Sequence, residues 1–175
     1  WVGVNVDEVM RDHVGREIHT LNDADAAGYG EYLYGTAQGR DGVVFLCTLG
    51  TGIGTAIIVN GEVVPNVELG HLIVNGKDAE EFAADSARDR HHLGWDEWAA
   101  HLQAYFSEIE RLLWPDLIIV GGGVSKKHEQ FLPLLSLRTP IVPAELFNGA
   151  GIVGAAAAAA HERDRREARA KAAAK

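Results

Sequence analysis

The sequence has one cysteine and no long apolar run, and both shortages exclude classes of protein. A single thiol, Cys47, excludes an internal disulfide and any zinc site built mainly from cysteines. Its apolar neighbours predict a buried thiol in a reducing compartment, so we expect a cytoplasmic location. The stretch 149–160 is alanine-rich and too short to cross a bilayer. The first fifteen residues lack the basic start and apolar core of a signal peptide, so we expect no membrane partner.

Positive charge is scarce too, because the formal net charge is −9. Residues 162–175 hold six basic and three acidic residues, a net of +3, so the other 161 residues carry −12. This acidic body argues against nucleic acid as a partner, since a phosphate backbone requires a basic face. It also disfavours a long polyanionic substrate unless basic residues are concentrated locally. The compact basic pairs outside the tail are Lys126 with Lys127, and Arg88 with Arg90.

Strands and helices alternate along the chain, which is typical of an α/β fold. We expect strands at 43–49, 55–59, 62–64, 117–120 and 139–142, and helices at 24–34, 78–90, 95–113, from 125 onward and from 149 onward. Asn60-Gly61 is a strong signal for a tight hairpin between the second and third strands. The loop 38–42 is the expected domain junction.

Two glycine turns follow expected strands. In the segment 49–54, LGTGIG, glycines at alternate positions let backbone N–H groups converge on an anion, and Thr51 adds a hydroxyl. The segment is not a P-loop, because it lacks the lysine and the spacing, and an ordinary β-turn would use the same glycines. The triplet at 121–123 ends a strand where α/β sheets bind ligands, although close packing of a helix on a strand explains it equally well.

Polar side chains suited to a small hydroxylated ligand occur in three places. Glu68 and His71 are three residues apart in the segment ELGH, and both can hydrogen-bond hydroxyl groups. Glu80 and Glu81 offer a second carboxylate a short loop later. Asp23 lies at a strand-to-helix turn, where a carboxylate can accept a proton from a hydroxyl or can cap the helix.

Taken in order, these motifs resemble the ROK family of sugar kinases and repressors. The matching segments are LNDADAAG at 21–28, TLGTGIG at 48–54, ELGH at 68–71 and GGG at 121–123. Further segments, at 65–66, 114–117 and 138–155, are most similar to the polyphosphate/ATP glucokinases of actinobacteria. The resemblance covers nearly the whole chain up to His161.

The resemblance implies an actin-like ATPase (ribonuclease H-like) fold, mostly its larger C-terminal domain. Residues 1–38 would be the remainder of a small N-terminal domain, 39–147 the large domain, and 148–175 a helix returning toward the small domain. The implied reaction transfers a phosphoryl group from polyphosphate or ATP to the 6-hydroxyl of glucose, giving glucose 6-phosphate. A homodimer is also implied.

The same resemblance assigns roles to particular residues. Asp23 would be the general base on the sugar 6-hydroxyl. The implied sugar-binding residues are Asn22, Glu68, His71 and Glu81, and those on the phosphate and nucleotide side are Gly50, Thr51, Gly52, Gly122 and Gly123. Mg²⁺ would accompany the donor. Many ROK members carry a cysteine-rich zinc loop after the histidine, but residues 75–81 replace it here, so we expect no zinc.

The N-terminal phosphate loop of the family, with its Asp-x-Gly-Gly pattern, does not occur in these 175 residues. We therefore interpret the chain as the C-terminal part of a longer protein and expect this part alone to be inactive. The alternatives are a sugar-sensing transcriptional regulator of the same family, a hexose kinase that uses only ATP, and a scaffold without chemistry. The upstream sequence would discriminate, since Asp-x-Gly-Gly indicates a kinase and a helix-turn-helix a regulator. The retained Asp23 favours the kinase.

Overall fold

The computed structural model describes residues 2–173, with Asn148 described through its backbone alone. The strands are β1 (Val43–Leu49), β2 (Ile53–Val59), β3 (Glu62–Val64), β4 (Ile73–Val74), β5 (Lys77–Asp78), β6 (Leu117–Gly121) and β7 (Ile141–Pro143). The α-helices are α1 (Val6–Val14), α2 (Asp23–Tyr34), α3 (Ala79–Ala83), α4 (Asp85–Arg90), α5 (Trp95–Leu113) and α6 (Ala150–Ala173). Short 3-10 helices span Leu69–His71, Gly123–Gln130, Leu132–Leu134 and Phe147–Gly149.

Five strands form one mixed sheet in the order β3-β2-β1-β6-β7. β1, β6 and β7 are parallel, whereas β2 is antiparallel to β1 and to β3. The Asn60-Gly61 hairpin is confirmed, and both residues have positive φ, as a type I′ turn requires. The parallel strands β1 and β6 therefore end at the same edge of the sheet.

Helices cover both faces of this sheet. Side chains alternate along β1, so Phe45 and Cys47 pack with α5, while Val44 and Leu46 lie on the face that packs against α2. The thiol of Cys47 is fully buried, as predicted, and burial raises its pKa. Three layers, helix on sheet on helix, confirm the α/β class.

Helices α2 and α6 pack so closely that glycine is required at their contact. A Cβ on Gly154 would overlap the carbonyl oxygen of Ala26, and one on Gly30 would overlap the carbonyl oxygen of Ala150. The buried carboxylate of Glu31 adds a polar link, because it accepts hydrogen bonds from the amides of Thr36, Glu145 and Leu146, on the chain after α2 and before α6. These contacts hold α6 against α2.

Several elements differ from the sequence expectations, and three of the differences concern helices. The helix expected at 78–90 is divided at Ala84, whose extended backbone separates α3 from α4. The helix expected from residue 125 is a 3-10 helix that begins at Gly123. Helix α1, capped by Asn5 and Gly15, was not expected. In the described part of the chain, no helix has both the length and the apolar character needed to span a membrane.

Candidate active site

A cleft of about 460 Å³ opens at the carboxyl ends of β1 and β6. Its lining joins the start of α2, both glycine turns and the segment that precedes α3. The lining residues are Asn22, Asp23, Thr48, Gly50, Thr51, Gly52, Ile53, Gly54, Thr55, Glu68, Glu80 and Gly122. Seven of the ten site residues expected from the sequence are in this group; His71, Glu81 and Gly123 are not.

The first glycine turn joins β1 to the antiparallel β2, and two hydrogen bonds from Ser86 hold it in place. Ser86 donates its backbone N–H to the carbonyl of Gly50 (3.0 Å) and its hydroxyl to the carbonyl of Thr51 (2.6 Å). The amides of Thr51 and Gly52 donate to no acceptor within residues 2–173. Two neutral N–H donors on a fixed turn, lining a cleft, suit a bound phosphate.

The second glycine turn lies directly against the first. Gly122 has φ of +84°, and a Cβ on it would overlap the backbone carbonyl of Leu49. Only glycine allows this backbone conformation and this approach together. The turn therefore brings the end of β6 to the edge of the cleft, and Gly123 begins the 3-10 helix behind it.

The start of α2 places an exposed carboxylate on the cleft. Asn22 is the cap: its Oδ1 accepts hydrogen bonds from the amides of Ala24 (2.8 Å) and Asp25 (3.2 Å). Asp23 is the first helical residue, and its Oδ1 also accepts from the amide of Ala24 (2.8 Å). Its Oδ2 has no hydrogen-bond partner among the described residues, so one carboxylate oxygen is available to a ligand.

The segment that carries Glu68 is held against β2 by contacts that the sequence alone does not indicate. The buried hydroxyl of Thr55 donates to the carbonyl of Val67 (2.7 Å) and accepts from the amide of Leu69 (3.0 Å). A Cβ on Gly70 would overlap the carbonyl of Ile53, so this segment lies directly on β2. The sequence does contain a signal for Thr55: it is a threonine in an otherwise apolar strand, next to a glycine turn.

Asn22 connects the start of α2, which carries Asp23, to the side chain of Glu68. Its Nδ2 donates to Oε1 of Glu68 over 3.4 Å, while its Oδ1 caps the helix that carries Asp23. The base candidate and the hydroxyl-binding candidate are therefore joined through one amide side chain.

His71 lies beside the cleft rather than on its lining. Its exposed ring hydrogen-bonds through Nδ1 to Oδ2 of Asp78 (2.9 Å), and this contact raises the imidazole pKa. Asp78 also caps α3, because its Oδ1 accepts from the amide of Glu80. The sugar-binding role of His71 remains a prediction.

Of the two neighbouring glutamates in α3, Glu80 lines the cleft and Glu81 does not. Glu80 accepts a hydrogen bond from the amide of Ile53 (2.9 Å) through Oε2 and so fixes the end of the first glycine turn. Glu81 is exposed and lines a separate cavity with Lys77 and His101. Neighbouring positions on a helix point in directions about 100° apart, so the two glutamates face different cavities.

The basic residues near the cleft differ in their availability. The guanidinium of Arg88 pairs with Asp85 (3.1 Å) and Asp89 (2.7 Å) and lies over the ring of Trp95. Lys126 and Lys127 are exposed on the 3-10 helix after Gly122, and neither forms an ion pair to the described residues. Arg90 is also exposed, and its guanidinium donates a hydrogen bond to the carbonyl of Glu81 (3.1 Å). The two lysines are the exposed cations that follow the second glycine turn.

The carboxylates on the cleft are the ligand type that Mg²⁺ prefers, but they do not form a protein cage. Asp23, Glu68 and Glu80 supply oxygens to the lining. Within residues 2–173 no group of three or more histidine, cysteine, aspartate or glutamate side chains is placed to hold a metal ion. This donor set fits Mg²⁺ that arrives on a phosphate donor and is held by one or two carboxylates.

Comparison with known proteins identifies the family that this fold and cleft define. Residues 1–85 match the model of the ROK family. This match covers 85 of the 175 residues and agrees with the resemblance that the motifs predict.

The narrower similarity is to polyphosphate glucokinases. The chain is 48% identical to the polyphosphate glucokinase of Mycobacterium tuberculosis (strain CDC 1551 / Oshkosh) over 159 residues, which cover 90% of this chain and 60% of that protein. It is 46% identical to the polyphosphate glucokinase of Mycobacterium leprae, over 90% of this chain and 49% of that protein. The chain thus spans about half to three fifths of the length of these relatives.

Solved structures agree with this assignment. The inorganic polyphosphate/ATP-glucomannokinase of Arthrobacter sp. strain KM superposes with a TM-score of 0.85 at 53% identity, over 89% of this chain and 62% of that one. A ROK family glucokinase from Streptomyces griseus, in complex with glucose and AMPPNP, gives a TM-score of 0.73 at 24% identity, over 86% and 70% of the two chains. The second likeness concerns the fold alone. Both confirm the actin-like ATPase fold predicted from the sequence.

Proposed function

We propose that this chain forms the acceptor site and part of the donor site of a kinase that transfers a phosphoryl group from polyphosphate or ATP to the 6-hydroxyl of glucose. The observation that carries the proposal is the position of Asp23. Its carboxylate lies on the same cleft as Glu68 and as Thr51 and Gly52 of the first glycine turn.

The chemistry follows from this arrangement. The carboxylate of Asp23 accepts the proton of the attacking hydroxyl, while Asn22 and Glu68 hydrogen-bond the other hydroxyls of the sugar. The free amides of the first glycine turn face the phosphates of the donor. Phosphoryl transfer passes through a loose transition state, so positioning and charge neutralisation supply most of the rate enhancement, and Mg²⁺ on the donor shares in that neutralisation.

The similarity to polyphosphate glucokinases supports glucose and polyphosphate as substrates, and the glucomannokinase supports ATP as a second donor. We further propose that the enzyme is a cytoplasmic homodimer that supplies glucose 6-phosphate to glycolysis. Light scattering after size-exclusion chromatography measures the oligomeric state, and a mass of one subunit contradicts the dimer.

The test of this function is the substitution Asp23→Asn in the whole gene product that contains this chain. The amide cannot accept the proton, so we expect kcat to fall by about 10²–10⁴-fold, the usual contribution of a general base. Glucose affinity, measured by calorimetry, should change little because Asn22 and Glu68 remain. Asp41→Asn, in the exposed loop before β1, is the matched control. A variant at Asp23 with normal turnover would refute the role.

A further inference from the structure

Asp25, in the first turn of α2, is a buried carboxyl group that the reaction scheme above does not use. Its exposed fraction is 1%, and its Oδ2 accepts a hydrogen bond from the amide of Asn66 over 2.9 Å. Its Oδ1 is the one buried side-chain polar atom without a hydrogen-bond partner in the part of the chain that the structure describes. A buried polar atom without a partner is costly, so a positive reason for keeping this carboxyl group is needed.

The partner of Asp25 lies in the turn that leads to Glu68. Asn66 follows Pro65 and has φ of +58°, so the chain reverses direction there. Thr55 holds the same segment from β2, through the carbonyl of Val67 and the amide of Leu69. Glu68 is therefore anchored on both sides, by Thr55 from the sheet and by Asp25 from the helix that carries Asp23.

Helix geometry explains why Asp23 and Asp25 act differently. Two residues apart on an α-helix, their side chains point about 200° away from each other, so one faces the cleft and the other faces inward. Asp23 is accordingly exposed, whereas Asp25 is buried. We propose that Asp25 is a positioning residue: by holding the amide of Asn66, it fixes the carboxylate of Glu68 relative to that of Asp23.

The surroundings of Asp25 favour its neutral form. Burial raises the pKa of this carboxyl group, the nearby carboxylates of Glu68 and Asp23 raise it further, and the hydrogen bond from Asn66 opposes them. The raised pKa lowers the cost of burying this carboxyl group close to the carboxylates of Asp23 and Glu68. Asparagine at this position carries no charge and keeps an acceptor oxygen for the amide of Asn66, whereas alanine keeps neither oxygen.

The inference rests on the proposed function, and its test uses two substitutions in the whole gene product. For Asp25→Ala, we expect the KM for glucose to rise about tenfold, since losing one buried anchor is worth roughly 1–1.5 kcal/mol. The KM for the phosphoryl donor should stay within about twofold, because the glycine turns do not contact Asp25. Hydrogen exchange of the amides at 66–69 should become faster. Asp25→Asn should keep the KM for glucose within about threefold, and Asp41→Ala is the control.

The pH dependence gives a readout that a loss of packing would not produce. A carboxyl group whose pKa is raised in the folded state binds its proton more tightly there than in the unfolded chain. Its contribution to stability is therefore full below the ordinary pKa of 3.8 and is lost as the pH rises through the raised value. The wild-type protein should lose stability over this window relative to Asp25→Asn, which has no proton to release.

The outcomes separate this inference from the function on which it rests. A raised KM for glucose in Asp25→Ala, near-normal values in Asp25→Asn and the expected pH difference support the positioning role. Wild-type phosphorylation of glucose with an unchanged KM in Asp25→Ala overturns that role alone. A wild-type protein that neither binds nor phosphorylates glucose overturns the proposed function, and with it the role of Asp25.

Discussion

Thr55 illustrates how a residue remote from chemistry prepares the site. Its hydroxyl donates to one backbone group and accepts from another on either side of Glu68, and it is 1% exposed. Because this buried hydroxyl both donates and accepts, replacing it by a methyl group leaves a carbonyl and an amide without hydrogen-bond partners. The position of the Glu68 carboxylate therefore depends on β2.

The substitution Thr55→Val tests this dependence. We expect the free energy of unfolding to fall by about 1–3 kcal/mol, the cost of unpaired buried polar groups, with a raised KM for glucose. Urea denaturation and steady-state kinetics measure the two effects. Thr55→Ser keeps the hydroxyl and serves as the control; if valine and serine behave alike, the hydrogen bonds are not what holds the segment.

The pair formed by His71 and Asp78 makes a prediction about pH. The hydrogen bond from the His71 ring to Asp78 and the charge of that carboxylate raise the pKa of His71 above the ordinary 6.5. A raised pKa means that the pair stabilises the fold fully below about pH 6.5 and that the contribution is lost as the pH rises through the raised value. Asp78→Asn keeps an oxygen that can cap α3 but removes the charge, so the pKa of His71 should fall toward the ordinary value.

Titration of the His71 ring by nuclear magnetic resonance, in the wild type and in Asp78→Asn, measures this shift directly. Identical midpoints in the two proteins would show that Asp78 does not determine the protonation of His71.

At the scale of elements, the contact between α2 and α6 holds the helix of Asp23 in place. Gly30 and Gly154 allow the two backbones to touch, and Gly28 lies against Ala56 and Ile58 of β2 on the other side. Helix α2 is thus fixed between the sheet and α6. The direction of its first turn, and of Asp23, follows from this fixation.

Glycine-to-alanine substitutions in α6 test this packing. Gly154→Ala should destabilise the protein by about 1–3 kcal/mol or more, since the methyl group would overlap the backbone at Ala26. Gly151 is the matched control, because the nearest atom to a Cβ there is the carbonyl oxygen of Asp23, at 3.9 Å. Gly151→Ala should be neutral or stabilising by up to about 1 kcal/mol, the helix propensity difference. Thermal melting distinguishes the two, and equal melting temperatures would contradict the close contact.

The elements best predicted from the sequence are those whose ends carry local signals. The bounds of β1, β3 and α5 match the expectation because hydrophobic periodicity, the Asn60-Gly61 turn and Trp114-Pro115 mark them. The break at Ala84 carries no such signal. It depends on tertiary packing, in which Trp98 donates its indole N–H to the carbonyl of Ala83 and the alanines of this segment are buried.

The site was predicted only where the residues belong to local motifs. Asp23, Glu68 and the two glycine turns line the cleft because each stands at the end of a recognisable element. The roles of Thr55 and Asp25 could not be predicted from local motifs, because their hydrogen-bond partners are 12 and 41 residues away in the chain. Glu80 rather than Glu81 lines the cleft because of the direction of α3, which the sequence does not specify without the boundary of that helix. The sugar-binding role of Glu81 stays a prediction.

At the scale of the whole molecule, we expect charge to determine which phosphoryl donor is preferred. The acidic body has few available cations near the cleft, and Lys126 and Lys127 are the exposed pair on the 3-10 helix that follows Gly122. A long polyanion depends on such cations more than a nucleotide does. The reaction with polyphosphate should therefore weaken more steeply with added salt than the reaction with ATP, because exposed charges are screened within about 10 Å at 0.1 M.

The double substitution Lys126→Ala, Lys127→Ala should raise the KM for polyphosphate several-fold more than the KM for ATP. Initial rates with each donor, between low and high salt, measure both effects. Equal salt dependence for the two donors, with equal losses in the double variant, would exclude these lysines as a polyphosphate-binding surface.

We propose that Asp23 is the base of a glucose kinase whose acceptor and donor sides meet in this cleft. The most direct measurement is the turnover of glucose by wild type and Asp23→Asn in the whole gene product, with the affinity for glucose measured alongside. We predict glucose 6-phosphate from the wild type, and from the variant a fall in kcat of about 10²–10⁴-fold with the affinity for glucose retained. Normal turnover in Asp23→Asn, or no turnover in the wild type, would contradict the account.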